Sequence, residues 1–345
     1  MPSKKSVRVG NVIIGGGNKI AVQSMLNTKT SDISASLLQI KQLEDAGCDI
    51  VRVAVPDEAA AKAIYRLKEH SRIPIVADIH FSHRLALLAA DAGADKIRIN
   101  PGNLAHDKVS VVANACKAKN IPIRIGVNGG SVSKEILSRF GKVTPEALVE
   151  SALENIKLLN ECDFDDICIS LKSSSVLLTV EAYRLMSSRF DYPLHLGVTE
   201  AGTERMGIIK SAVGIGSLLL DGIGDTIRVS LTDSPVKEVY AAFDILKSIG
   251  LKKGIEIVSC PTCGRTEIDI ISIANELNEK LASFEKPLKV AVMGCAVNGP
   301  GEARDADIGI AGGKNEALLF KKGEIIRKIN ENEIIPVLLD EIEKL

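Results

Sequence analysis

Three cysteines toward the C-terminal end of the chain stand in two motifs, Ser259-Cys260-Pro261-Thr262-Cys263-Gly264-Arg265 and Met293-Gly294-Cys295-Ala296-Val297-Asn298-Gly299-Pro300-Gly301-Glu302. A Cys-x-x-Cys loop after a strand serves a structural zinc, a redox dithiol or an iron–sulfur cluster, and these make different demands. Structural zinc wants four closed ligands, whereas no histidine follows His195 and no fourth cysteine accompanies these three. A redox dithiol needs only Cys260 and Cys263 and gives Cys295 no role. A [4Fe–4S] cluster on three thiolates uses all of them and leaves one iron open to substrate or to a displaceable oxygen ligand. Glu302, Asp305 and Asp307 are the nearby acids, and spacing alone does not choose among them.

A second constellation is spread through the first two thirds of the chain. Arginine sits between β-branched residues in Val51-Arg52-Val53, Ile97-Arg98-Ile99, Ile123-Arg124-Ile125 and Ile227-Arg228-Val229. Alternation along a strand puts each arginine on the face opposite its neighbours. In a parallel sheet covered on both faces such a cation must meet an anion or cost several kcal/mol. Asp49, Asp95 and Asp225 lie close in sequence and offer a pairing for single arginines. Four together read better as a shared clamp, because guanidinium forks match phosphate oxygens bidentately. Further polar residues fall at the expected C-terminal ends of strands: Gln23, Ser24, Asp78, His80, Asn100, Asn128, Lys172, His195, Glu200 and Ser230. Singly, each reads equally well as a turn or cap residue. Collectively they outline a polar pocket where barrel enzymes place theirs.

The elements that must carry these residues follow from periodicity. After a hairpin expected to turn at Gly15–Gly17, eight β-branched runs begin at Ile20, Ile50, Ile73, Lys96, Ile121, Asp165, Pro193 and Thr226. They alternate with stretches whose apolar residues recur near a 3.6 period, several ending in glycine, as at Gly47, Gly93, Gly222 and Gly250. Eight β/α units over about 230 residues predict a closed parallel barrel, with an open doubly wound sheet as the alternative. From Gly254 the texture changes, and a separate domain is expected: strand (IEIVS), cysteine loop, helix, strand (LKVAVM), glycine loop, short strands around IGIAG and EALLFK, and a final helix. The expected division is 1–252 for hairpin and barrel and 253–345 for the cysteine-bearing domain.

Composition bounds the setting. Apolar residues make up 46% and charged residues 25% of 345, the balance of a folded globular chain. A formal net charge of −1 gives no long-range attraction to nucleic acid or anionic membrane, so any anion site must be local. The start, MPSKKSVRVG, has no apolar core of a secretory signal, and a cytoplasmic address is expected. Seven cysteines without an export signal argue for thiols or metal ligands over disulfides, and Cys48, Cys116, Cys162 and Cys168 read as core residues.

SCPTCGRTEID with GCAVNGPGEARDADIG resembles the C-terminal motifs of the 4-hydroxy-3-methylbut-2-en-1-yl diphosphate synthase family. RVAVP, ADIHF, KIRINPGN, PIRIGVN, SLKSS, GVTEAG and IRVSLT resemble its successive strand ends, so the likeness extends over the whole chain, in the two-domain bacterial form. The resemblance implies a TIM-type (β/α)8 barrel followed by a smaller α/β iron–sulfur domain resembling those of sulfite and nitrite reductases. It implies reductive ring opening and dehydration of 2-C-methyl-D-erythritol 2,4-cyclodiphosphate to 4-hydroxy-3-methylbut-2-enyl diphosphate, a step of non-mevalonate isoprenoid synthesis. By the same resemblance the cluster ligands are Cys260, Cys263, Cys295 and Glu302. The diphosphate contacts fall on Arg52, Arg98, Arg124, Asn128, Lys172, Arg228 and Ser230, and His80, Glu200 and Asn298 lie near the reacting centre. Reduced flavodoxin or ferredoxin as electron donor, and a head-to-tail homodimer, are further implications.

Two other classes compete. A barrel lyase or aldolase could hold a sugar phosphate as a Schiff base on Lys172, with a structural metal in the tail. The other is a non-catalytic iron–sulfur or zinc module that binds a partner or nucleic acid, and near-neutral charge, four tyrosines, seven phenylalanines and no tryptophan give little support for base stacking.

Overall fold

A computed structural model describes residues 3–345 except Phe81, 101–103, 282–283, 285 and 297–302, and except the side chain of His106. The chain divides into two units, Met1–Ile249 and Gly250–Leu345.

The first unit begins with a hairpin of β1 (Ser6–Val9) and β2 (Val12–Gly15). Its turn is not at Gly15–Gly17 as expected. Val9 pairs with Val12, leaving Gly10 and Asn11 as a two-residue turn, with Gly10 at a φ of 57°. Gly15, Gly16 and Gly17 instead lead the chain out of the hairpin. Eight parallel strands follow: β3 (Ala21–Met25), β4 (Ile50–Ala54), β5 (Ile75–Asp78), β6 (Lys96–Ile99), β7 (Ile123–Asn128), β8 (Ile167–Lys172), β9 (His195–Leu196) and β10 (Thr226–Ile227). Neighbours run in the order β8-β7-β6-β5-β4-β3-β10-β9. A parallel bridge between Ile169 and Leu194, with Ile169 N–H donating to Pro193 O at 2.9 Å, joins the two ends. The sheet is therefore the (β/α)8 barrel, and the open alternative falls away.

Helices Ile33–Asp45, Glu58–His70, His83–Asp91, His106–Ala118, Pro145–Asn160, Val176–Arg189, Glu204–Leu220 and Pro235–Ser248 alternate with the strands. Asp32, Asp57, Ser82, Thr144, Ser175 and Ser234 each accept a hydrogen bond from a first-turn N–H, which starts six of them. The core lies between strands and helices, and strand residues Val51 and Val53 and helix residues Ile64 and Leu67 all belong to it. Hairpin residues Val7, Val9 and Ile14 cluster with Ala21, Ile50, Val76 and Cys168, at or near the starts of their strands. The hairpin thus closes the end of the barrel where strands begin and leaves the other end for a site. An additional short helix, Lys134–Phe140, was not expected from periodicity.

The aspartates near the arginines have a different and repeated use. Asp49, Asp95 and Asp225 accept from the N–H of Val22, Ile75 and Leu194 at 2.8, 2.7 and 2.7 Å, each across to a neighbouring strand. Asp307 does the same for Lys289 N–H at 2.9 Å in the second unit. These carboxylates pin parallel strand starts, and the pairing suggested by sequence proximity is not how the arginines are held.

The second unit has a sheet ordered β11 (Glu256–Ser259), β12 (Lys289–Met293), β13 (Ile308–Gly313), β14 (Glu316–Lys321) and β15 (Glu324–Asn330). The first three are parallel and the last three antiparallel. Helices Ile270–Leu281 and Ile334–Glu343 pack Leu277 and Leu338 onto one face. On the other, Cys260 packs against Ala291, Met293, Ala303, Ala306, Ala311 and Phe320. Strand β15 was absent from the sequence reading, because nearly all its residues are exposed and it carries no buried alternation.

Candidate active site

Alternation along the barrel strands sends every second side chain inward, and near the strands' C-terminal ends the inward residues are polar. Arg52, Asp78, His80, Arg98, Arg124, Val127, Asn128, Ser170, Lys172, Thr199, Arg228 and Ser230 line a cavity of about 170 Å³. Adjacent strands place Arg98 beside Arg124 and Asn128 beside Lys172 in register. Two inward glycines make room for the cations. A Cβ at Gly126 would lie 2.5 Å from Arg98 Nε, and one at Gly197 would lie 2.7 Å from Lys172 Nζ. Neither position tolerates a side chain while the cation stays where it is.

Two carboxylates organise part of this charge. Asp78 meets Arg98 Nη1 at 3.0 Å, Arg52 Nε at 3.9 Å and His80 Nε2 at 3.3 Å. Burial would push its carboxyl up, but Arg52, His80 and Arg98 hold it well below the usual carboxylate range. Glu238 holds Arg228 Nη2 at 3.2 Å and accepts from Ser24 Oγ at 2.9 Å. Ser24 thus supports the clamp from behind and does not line the cavity.

The remaining cations outnumber these acids. Arg124 is 1% exposed, and its Nε and Nη1 have no hydrogen-bond partner among the described residues. Burial, then Arg98, lowers its guanidinium to about 10. Lys172 lies well below the usual lysine value through burial and the neighbouring Arg124, Arg52, Arg228 and Arg98. Below the cavity Lys96 is fully buried, with no partner for its ammonium among the described residues, and burial lowers it to about 8. Such a set of buried donors without acceptors is built for an anion.

In the second unit, Cys260 follows β11 and Cys295 follows β12, and these strands are paired neighbours. Gly294 N–H donates to Cys260 Sγ at 3.2 Å, so the two loops touch next to Cys295. The Cys263 thiol is exposed and lowered by hydrogen bonds from the backbone and side chain of Arg265, which favours the thiolate that ligates iron. An exposed thiolate-favouring Cys263, with Cys260 and Cys295 on loops that touch, fits an iron–sulfur cluster in the chemistry of its donors. Among the described residues no group of three His, Cys, Asp or Glu side chains is arranged to hold a metal ion.

Of the expected site residues, His80 and all seven diphosphate contacts line the cavity. Glu200 does not. It is exposed, directly follows the lining residue Thr199, and adopts a left-handed φ of 52°, a strained conformation for a glutamate. Asn298 and Glu302 lie outside the described residues. His195 is buried with Nδ1 2.6 Å from Thr226 Oγ1, and Asn100 and Gln23 are also buried and do not line the cavity. Cys48, Cys116 and Cys168 are buried thiols, the first two pushed up to about 12 by burial. Ser170 and Thr199 were missed; Ser170 was findable, since it stands two residues before Lys172 on the same inward face.

A family model described as the GcpE TIM-barrel domain matches residues 4–243, and one described as the GcpE protein C-terminal domain matches residues 256–344. Curated relatives named 4-hydroxy-3-methylbut-2-en-1-yl diphosphate synthase (flavodoxin) include those of Clostridium perfringens and Caldanaerobacter subterraneus. They are 59% and 58% identical over 343 residues, covering 99% of this chain and 98% and 97% of theirs. Among solved structures, dihydropteroate synthase from Yersinia pestis matches with a TM-score of 0.52 at 13% identity, over 71% of this chain and 98% of that one. That likeness concerns the barrel fold alone. With both family models matched along nearly its whole length, the chain belongs to the GcpE family.

Proposed function

We propose that the chain makes 4-hydroxy-3-methylbut-2-enyl diphosphate by reductive ring opening and dehydration of 2-C-methyl-D-erythritol 2,4-cyclodiphosphate, a two-electron step of isoprenoid synthesis. The observation that carries this reading is the cavity at the open end of the barrel, where Arg52, Arg98, Arg124, Arg228 and Lys172 converge and Asp78 is the one lining acid among the described residues. Arginine forks and the lysine grip the diphosphate oxygens, and Asn128 and Ser230 donate hydrogen bonds that fix its orientation. His80, tied to Asp78, stands where it can hydrogen-bond a substrate hydroxyl. Glu200, held in a strained conformation beside the cavity, is the candidate acid for the departing hydroxyl.

Cys260, Cys263 and Cys295, with Glu302, would hold a [4Fe–4S] cluster, and Asn298 belongs to the same loop. When bound, such a cluster supplies electrons singly at low potential. The relatives' name points to flavodoxin as donor in preference to ferredoxin. A head-to-tail homodimer and a cytoplasmic address complete the reading. No helix among the described residues is long and apolar enough to cross a membrane.

The lowered Lys172 ammonium would also suit a Schiff base. Family membership favours the reductive synthase over that lyase reading. The experiment is an anaerobic assay of reconstituted protein with the cyclic diphosphate and a strong one-electron reductant. Formation of the allylic diphosphate is expected. Absence of product together with borohydride trapping of a sugar phosphate on Lys172 would overturn the assignment.

A further inference from the structure

Lys96 is a charge that the clamp described above does not use. It stands two residues before Arg98 on β6, so alternation turns both to the barrel interior, with Lys96 one step deeper. Its side chain is fully buried and its ammonium finds no acceptor among the described residues. Around it stand Arg124 from β7, Arg52 from β4, Cys168 from β8 and His195 from β9, with Arg98 above it on its own strand. The only one of these that favours its charge is the Cys168 thiol, itself pushed up by burial and thus held as the neutral thiol. Asp78, the acid that lines the cavity, is engaged by Arg52, Arg98 and His80. Asp95, next in sequence, is engaged outside by Lys68 and by Ile75 N–H.

A cation so placed is repelled by its neighbours while the cavity holds no anion, and is stabilised when one arrives. We propose that Lys96 is a proton-coupled positioning residue of the anion site: it takes up a proton as the cyclic diphosphate binds and holds the Arg124 and Arg98 layer against the bound anion. The inference rests on the cavity being a diphosphate site.

The sign follows from linkage. In the free protein burial, Arg124 and Arg52 lower the ammonium to about 8, and a bound anion raises it. Between the free and bound values binding draws a proton from solution, so affinity falls as pH rises through that window. For one full proton the loss is about tenfold per pH unit. The ligand contributes no titration of its own in this range. In a cyclic diphosphate ester each phosphorus carries a single strongly acidic hydroxyl, which does not titrate near pH 8.

The test is calorimetric binding of 2-C-methyl-D-erythritol 2,4-cyclodiphosphate to the full-length protein at pH 7, 8 and 9, in pairs of buffers of different ionisation enthalpy. Wild type is expected to take up protons at pH 8 and 9 and to lose affinity over that range. Lys96→Met should bind weakly at pH 7 and take up fewer protons by as much as one. Lys96→Arg, permanently charged at that position, should lose less affinity than wild type between pH 7 and pH 9 and take up fewer protons. Lys172→Met is the companion variant, since Lys172 is also lowered. Uptake unchanged in Lys96→Met, or, where that variant fails to fold, unchanged in Lys96→Arg, would assign the proton elsewhere and overturn the proposal. Binding without proton uptake in wild type would overturn it alone, whereas no binding at pH 7 would overturn the diphosphate reading as well.

Discussion

Arg124, a cation between isoleucines inside a strand, has no cheap place to go without an anion. Whether such an arginine meets a carboxylate depends on elements distant in sequence. Arg98 finds Asp78 20 residues away and Arg228 finds Glu238 10 residues away, while Arg124 has Nε and Nη1 unengaged among the described residues. Replacing even a buried ion pair with apolar side chains of similar volume is often neutral or stabilising by about 1–4 kcal/mol, and an unpaired buried ion has less attraction to lose. Arg124→Met is therefore expected to leave the barrel at least as resistant to urea as wild type. Its affinity for the cyclic diphosphate should fall by about 10- to 100-fold, the worth of hydrogen bonds to a charged group. Urea unfolding and calorimetry read the two effects separately. A variant that loses stability along with binding would mark Arg124 as a structural residue.

At the scale of elements, periodicity found the strands that carry β-branched runs but not all of their lengths. Strands β9 and β10 are two residues long by their hydrogen bonding, although the runs PLHLGVT and TIRVSLT look longer. Each continues past its regular pairing with inward residues that build the site: Gly197 and Thr199 after β9, Arg228 and Ser230 after β10. The exposed β15 and the short helix Lys134–Phe140 escaped because neither presents a sustained buried stripe. Neither shapes the cavity. What a strand contributes by lacking a side chain is equally hard to read in advance, and Gly126 on β7 is the instance that matters. Its neighbour Arg98 is anchored on Asp78 at 3.0 Å, so an added Cβ 2.5 Å from Nε has to break that ion pair or displace the strand. Gly126→Ala should therefore fold and raise KM for the cyclic diphosphate. The same substitution made in an Arg98→Ala background should add little, because the clash is gone. Equal effects in both backgrounds would place the glycine's role in the backbone and not in seating Arg98.

For the whole molecule, composition indicated a folded chain but not how independently its pieces fold. The packing answers that. Every residue of the barrel core and of the hairpin plug lies within Met1–Ile249, and every residue of the two clusters flanking the second sheet lies within Gly250–Leu345. The described cavity-lining residues come from the first unit, and Cys260, Cys263 and Cys295 from the second. A chain ending at Ile249 keeps the closing bridge from Ile169 to Leu194, the helix Pro235–Ser248 that carries Glu238, and all the strand-pinning aspartates of the barrel. It should fold to a cooperative barrel by circular dichroism and calorimetry, and should bind the cyclic diphosphate through the same arginines. It should yield no product with any reductant, because Cys260, Cys263 and Cys295, the proposed cluster ligands, are gone. Failure of the fragment to fold would show that the second unit supplies stability the first lacks, and product formation by it would remove those cysteines from the chemistry.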